Sequence, residues 1–322
     1  MSISELTMTA YSILELLSAR FGEEVKTNAV LAPYTSARIG GRADILVSAQ
    51  SADDLASIVT LLWSEGIEPV VLGGGSNVLV SDMGIRGVTV VNRAKAVRFD
   101  EIDPPCVWAE SGVVFSNLAN RCAAKGLAGL EWAGTVPGTI GGAVYGNAGA
   151  FGGDMAGSLE WAEVLTPDGR ERWPAEAFGY GYRTSILKRQ ERRAVVLAAE
   201  LKLTTSTREA VTTTMAAFGE RRKATQPPGA SMGSMFKNPP GDKAGRLIEA
   251  AGLKGRRVGN VEISPVHANF FVNHGRANAA DVKALIEIAQ RTVREKLGVE
   301  LELEIEFLGE GMSAGIRGYG II

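Results

Sequence analysis

The sequence predicts an α+β protein built from two unequal units, and three observations carry that expectation. Between Ser36 and Leu203 short β-branched runs alternate with two helical segments. Two glycine clusters interrupt this stretch, the first directly after a strand-like run. Near residues 204–235 the character changes to a Thr-rich stretch, a helix and Pro227-Pro228-Gly229, which marks a domain boundary. At 322 residues the chain is long enough for more than one core, since a domain holds about 100 to 200 residues.

Residues 1–23 carry Leu6, Ile13, Leu16 and Leu17 at helical spacing and stop at Gly22, so an amphipathic N-terminal helix is expected, for packing rather than chemistry. The larger unit spans 24–203, in two parts. Its first helix is capped by Ser51 with Asp54 three residues on, turns Leu55, Ile58, Leu61 and Leu62 inward and ends at Gly66. A strand over 69–72 runs into Gly73-Gly74-Gly75-Ser76-Asn77 before a second strand at 78–81. A helix over 116–125 leads through Gly126 to the other cluster, Gly134 to Gly142, and further strands run from 160 to 203. The smaller unit spans 204–309. It opens with a helix at 208–223 and holds helices at 242–251 and 278–297, the latter capped by Asn278 with Asp281 following. Strands are expected near 268–273 and 299–308. In the second of these, apolar residues alternate with glutamates from Val299 to Phe307, which predicts one solvated acidic face. The glycine-rich tail, 310–322, is expected to be loose.

Composition excludes several classes of function. Lys plus Arg, 34, nearly balances Asp plus Glu, 36, leaving no basic surplus to neutralise a nucleic-acid backbone or an anionic membrane. No apolar run approaches the roughly 18 residues of a membrane span, and Glu5 stands where a signal peptide needs positive charge. Cys106 and Cys122 are too far apart for a CxxC pair and too few for a disulfide framework or a zinc site. His267 and His274, flanking 269–273, read as structural rather than metal ligands. A cytoplasmic protein with no metal and no obligate protein partner is expected.

The glycine clusters are where chemistry is expected. A glycine run after a strand lets backbone N–H groups approach an anion and point inward together, so residues 72–80 suit a pyrophosphate, although a tight turn explains one such loop equally well. The second cluster runs on to Gly146-Asn147-Ala148-Gly149-Ala150, small residues and an amide against which a flat ring can lie. No Lys follows either cluster as in GxxxxGK[ST], and Gly73-Gly74-Gly75 lacks the third glycine and following helix of GxGxxG, which disfavours P-loop and Rossmann enzymes.

Tyr34-Thr35-Ser36-Ala37-Arg38-Ile39-Gly40-Gly41, then Leu72-Gly73-Gly74-Gly75-Ser76-Asn77, then Gly134-Thr135-Val136-Pro137-Gly138-Thr139-Ile140-Gly141-Gly142-Ala143 with Asn147, follow one another in an order that resembles the UDP-N-acetylenolpyruvoylglucosamine reductase (MurB) family, over about residues 27 to 309. The resemblance implies a p-cresol methylhydroxylase and vanillyl-alcohol oxidase type of fold, with a smaller C-terminal α/β domain closing over a sugar nucleotide. It implies noncovalent FAD held by Arg38, Gly73, Gly74, Gly75, Ser76, Asn77, Val136, Pro137, Thr139, Ile140, Gly141, Gly142 and Asn147. It further implies that NADPH reduces FAD and that UDP-N-acetylglucosamine enolpyruvate is then reduced to UDP-N-acetylmuramate. That reaction belongs to peptidoglycan synthesis, and so to cell wall biogenesis, cell shape, the cell cycle and cell division. Nothing after Arg183 resembles a substrate-covering tyrosine loop, which places the chain with the shorter class of the family.

Three residues carry the implied chemistry. Ser234, in Gly233-Ser234-Met235-Phe236-Lys237-Asn238-Pro239, resembles the family's proton donor, though a Ser in a Gly/Pro-rich loop is by itself only a turn former. Arg183, in Tyr182-Arg183-Thr184-Ser185, matches the arginine that steadies the developing enolate, a role suited to a planar, always charged guanidinium. Glu304 aligns with the assisting carboxylate of an L-E-x-E-V-R-x-x-G segment, and Asn238 matches a family contact to the diphosphate. Tyr182, of the same matched segment as Arg183, is a substrate-binding candidate, and Lys237 suits an anion contact or equally a solvated charge. Glu306 departs from the pattern: the family usually has Arg there, so that contact must be absent or come from elsewhere, with Arg221, Arg222 and Lys223 as candidates. Two other readings stay open, a FAD-dependent oxidase of the same fold acting on an alcohol or hydroxy acid, and a non-catalytic nucleotide-binding protein.

Overall fold

The computed structural model describes residues 3–100 and 102–312. Helix α1 (Ile3–Phe21) buries Ile13 and Leu17 in the first core but leaves Leu16 exposed, so its apolar stripe is narrower than the spacing predicts; the side chain of Leu6 lies outside the described residues. Strands β1 (Val25–Val30) and β2 (Arg42–Ala49) pair antiparallel. Helix α2 (Ala52–Ser64) follows, its first turn closed by the Ser51 hydroxyl accepting from Asp54 N–H at 3.1 Å, and it buries Leu55, Ile58 and Leu62. The chain then forms β3 (Val70–Leu72), β4 (Val78–Val80) and β5 (Ile85–Asn92), with β5 parallel to both β2 and β3 in the sheet order β1-β2-β5-β3. The glycine turn 73–77 is what carries the chain out of this sheet.

A second, five-stranded sheet is antiparallel throughout, in the order Gly169–Pro174, Leu159–Thr166, Val195–Lys202, β7 (Cys106–Glu110) and β6 (Val97–Asp100). One face buries Val107, Ala109, Ala162, Val164, Leu197 and Ala199, while Arg98, Trp108 and Trp161 stand on the other, the alternation expected of a half-buried sheet. Helix α3 (Phe115–Ala124) and the short helix α4 (Ile140–Gly146), which starts inside the second glycine cluster, complete this part. Glu110 of the second sheet ties it to the start of α2 and the loop before β6: its buried carboxylate accepts from Ala52 N–H at 2.8 Å and Ala96 N–H at 2.7 Å.

The helix Arg208–Thr225 buries Val211 and packs Met215 on the first core, so the second core starts only after it. That second core joins a three-stranded antiparallel sheet (Arg257–Val258, Val261–Ile263, Phe271–Asn273) to helices Ala244–Ala250 and Ala279–Leu297. The Asn278 side chain accepts from Asp281 N–H at 2.7 Å, the cap read in the sequence. Ala37, Ile39 and Leu79 of the first unit also enter this core.

The segment after it corrects the expectation of a long strand with one solvated acidic face. Only Glu306–Leu308 is a strand, parallel to β4. Glu302 remains exposed, but Glu304 and Glu306 are covered. The cause is backbone pairing on two sides. Glu304 N–H donates to the Met235 carbonyl and Glu306 N–H to the Asn77 carbonyl, both at 2.9 Å, which draws these acids between the units. Residues 313–322 of the expected tail lie outside the described residues.

Candidate active site

Where the two glycine loops meet the second unit, a cavity of about 520 Å³ opens. Its floor is backbone. A Cβ on Gly74 would stand 2.9 Å from the Gly138 Cα, and one on Gly138 would stand 2.6 Å from Ser76 Oγ, so the loops approach closely only because both positions are glycine. Gly75 sits at φ +56°, and a Cβ there would meet the Tyr34 carbonyl oxygen at 2.2 Å. Thr139 and Tyr145 line the same cavity with buried hydroxyls that have no hydrogen-bond partner in the protein. A backbone cradle with unsatisfied buried hydroxyls suits a ligand that is flat in one part and anionic in another.

Arg183 reaches the cavity from a stapled loop. Gly181 and Thr184 exchange backbone hydrogen bonds at 3.2 Å, Asn147 Nδ2 donates to the Gly181 carbonyl at 2.9 Å, and the Ser185 hydroxyl donates to the Tyr145 carbonyl at 2.6 Å. The turn holds Arg183 at φ +56°, and its Nη2 donates to the Gly149 carbonyl at 2.9 Å. Its Nε stands 2.8 Å from Glu304 Oε1, an ion pair made off the hydrogen-bond direction. Burial pushes the Glu304 carboxyl above the usual range, partly offset by Arg183, Lys188 and Lys237.

Ser234 comes from the other unit. Met235 and Phe236 are buried in the second core, and Asn269 holds them: its carbonyl accepts from Met235 N–H at 2.8 Å and its side chain bonds both N–H and C=O of Phe236. Ser234 and Asn238, on either side of this anchor, line the cavity. Arg183, Lys188, Arg221 and Arg222 line the cavity against a single lining acid, Glu304, so the cavity favours an anionic ligand.

Comparison with known proteins settles the relationship. The C-terminal domain of UDP-N-acetylenolpyruvoylglucosamine reductase matches residues 224–308, and a FAD binding domain matches residues 43–173. The reductase of Rubrobacter xylanophilus is 46% identical over 294 residues, 91% of this chain and 96% of its own length. That of Chloroflexus aggregans is 43% identical over 290 residues, 88% of this chain and 97% of its own. The crystal structure of the reductase from Thermus caldophilus overlays with a TM-score of 0.73 at 36% identity, covering 87% of this chain and 97% of that one. The chain belongs to the UDP-N-acetylenolpyruvoylglucosamine reductase family. It is an FAD-dependent oxidoreductase, and the expected fold class, an FAD-binding unit with a smaller C-terminal domain, is borne out.

Within this family frame, the cavity brings together Ser234, Arg183 and Glu304 with Asn238 and with Gly74, Ser76, Asn77, Val136, Pro137, Thr139 and Gly142 of the glycine loops. Other residues named from the sequence stand elsewhere. Gly73, Gly75, Ile140 and Gly141 are buried behind the surface and shape the turns. Asn147 is occupied as a brace, its Nδ2 on Gly181 and its Oδ1 accepting from Ala156 N–H at 2.9 Å. Arg38 is exposed and lines a separate cavity with Arg276 and Asn273. Tyr182 is exposed, and Lys237 pairs with Glu302. Sequence reasoning missed Lys188, Gly138 and Tyr145 as lining residues; only Gly138 carried a signal, lying inside a quoted motif.

Proposed function

We propose that this cleft reduces the enolpyruvyl ether of UDP-N-acetylglucosamine enolpyruvate, giving UDP-N-acetylmuramate. FAD held against the glycine loops supplies the hydride for the β-carbon, with NADPH as the donor. The chain's own residues then have two tasks: to steady the charge that develops toward the substrate carboxylate, and to protonate the α-carbon. Arg183 suits the first, because its guanidinium matches a carboxylate and is held by both Gly149 and Glu304. Ser234 Oγ suits the second. Its proton passes to the α-carbon as the enolate's electron pair forms the new C–H bond, and the surrounding cations favour the alkoxide left behind. Glu304 keeps Arg183 oriented. Asn238, Arg221 and Arg222 line the cavity and suit the diphosphate of the sugar nucleotide, while Tyr182, exposed, and Lys237, paired with Glu302, would have to turn toward it to take part.

The observation that carries this reading is the Arg183–Glu304 pair in one glycine-floored cavity with Ser234. Anaerobic stopped flow tests it: NADPH should bleach the bound flavin and the enolpyruvyl sugar nucleotide should restore its colour. Bleaching by an alcohol or hydroxy acid, and not by NADPH, would move the protein to the oxidases.

We further propose a cytoplasmic enzyme of cell wall biogenesis, and through it of cell shape, the cell cycle and cell division. Nucleotide sugars and nicotinamide donors are made in that compartment. The three chemical groups all come from one chain, which supports the absence of an obligate protein partner. The division proposed is an N-terminal helix at 1–23, an FAD-binding unit over 24–203 and a substrate unit over 204–309; the two apolar cores support two units, with the N-terminal helix and the helix Arg208–Thr225 packed on the first.

A further inference from the structure

Lys188 lies in the same cavity and none of the roles above uses it. It is mostly buried, as is its partner: Lys188 Nζ stands 2.9 Å from Glu306 Oε1, with side chains 14% and 9% exposed. The same Nζ donates to the main-chain carbonyl of Glu304 at 3.3 Å. Two cations of one loop, Arg183 and Lys188, therefore grip two acids of one segment, Glu304 and Glu306. The backbone pairing described above sets Glu304 in the cleft and leaves Glu306 buried against Lys188. A covered lysine is costly unless paired, and Glu306 supplies the opposite charge, its Oε1 close to Lys188 Nζ but off the hydrogen-bond direction.

We infer that Lys188 is a further positioning residue for the reaction, anchored by Glu306, and that it fixes the place and charge of Glu304 and through it of Arg183. The inference rests on the functional reading above. It also accounts for the acid at position 306. With Lys188 delivering the positive charge from the neighbouring loop, an arginine at 306 would set two buried cations together, whereas Glu306 neutralises one and pins it. The charged and titratable groups around the quartet are consistent with this. Glu304 faces Arg183, Lys188 and Lys237, and the buried Tyr145 hydroxyl, itself without a partner, faces Glu306. Lys188 is among the groups that oppose the upward pull of burial on the Glu304 carboxyl.

The test uses full-length protein carrying FAD. Lys188→Gln should leave flavin reduction by NADPH within about threefold of wild type and slow reoxidation by the enolpyruvyl sugar nucleotide at least tenfold. The acid limb of that second half-reaction should move to higher pH, because Glu304 loses a cation that favours its ionised form. Lys188→Arg should restore most of the rate. Thermal unfolding of Lys188→Gln, Glu306→Gln and the double variant should show the double costing clearly less than the two singles added, as for groups in one pair. If reoxidation and its pH profile are unchanged in Lys188→Gln, or Lys188→Arg is no better, the inference is overturned while the functional reading stands. If the sugar nucleotide fails to reoxidise the wild-type protein, the functional reading has fallen and this role falls with it.

Discussion

At the scale of single residues, Ser234→Ala should separate the two halves of the cycle. Loss of a positioned acid costs about 10²- to 10⁴-fold, and it should fall on reoxidation by the sugar nucleotide, with reduction by NADPH retained; rapid-mixing absorbance of the flavin reads both. Equal loss in the two halves would assign Ser234 a structural role. Glu304 bears on pH. Burial raises its carboxyl above the ordinary glutamate value of about 4.3, so the ionised form that orients Arg183 is lost as pH falls through that raised value. The acid limb of the second half-reaction should therefore lie above the ordinary glutamate range, and Glu304→Gln should abolish the limb together with most of the rate. A limb unchanged in that variant would belong to another group. These residues were legible only as a joint pattern. One serine, one arginine and one glutamate of an alternating run look ordinary alone, and Lys188 was illegible because its partner lies more than a hundred positions along the chain.

Elements were legible where their determinants are local. The caps at Ser51 and Asn278 were read correctly because a side-chain acceptor three residues from its donor N–H is a short-range matter. The run from Val299 to Phe307 was misread for the opposite reason: a period of two states which residues share a face but not what covers that face. The glycine turns allow a test at this scale. Gly75→Ala adds a methyl against the Tyr34 carbonyl at φ +56°, and Gly74→Ala one against Gly138; either should open the contact between loops and weaken FAD binding at least tenfold, measured by flavin fluorescence on titration. Gly87→Ala is the control. It also has positive φ, +82°, but a methyl there meets nothing within 4 Å, so it should cost about 1 kcal/mol of stability and leave FAD affinity unchanged. Equal flavin loss in all three would mean that the cradle geometry is not what holds the cofactor.

At the scale of the whole molecule, the chemistry requires two units to keep one spacing, since Arg183 comes from the first while Ser234 and Glu304 come from the second and its return segment. The sequence shows two units but not what locks them, because every lock is long-range. One is the parallel pairing of Glu306–Leu308 with β4, reinforced by Asn77 Nδ2 donating to the Glu304 carbonyl at 3.1 Å. Another is Asp82. Its two carboxylate oxygens accept from Ala279 N–H at 2.7 Å and Ala280 N–H at 3.0 Å, so the first unit caps the main helix of the second, while Asn278 satisfies the next N–H locally. Asp82→Ala leaves those donors without their charged acceptor, a cost of roughly 2 kcal/mol, or a fall of about 3 °C in unfolding temperature for a chain of this size. Asn278→Ala should cost about 1 kcal/mol as a purely local cap. The decisive measurement is cooperativity. Calorimetry of Asp82→Ala should split the transition or broaden it, and hydrogen exchange at 279–281 should quicken, with slower reoxidation by the sugar nucleotide at unchanged flavin content. If Asp82→Ala and Asn278→Ala lower stability alike, each in one sharp transition and with the same turnover, then capping across the units does not maintain the cleft, and the strand return alone must do so.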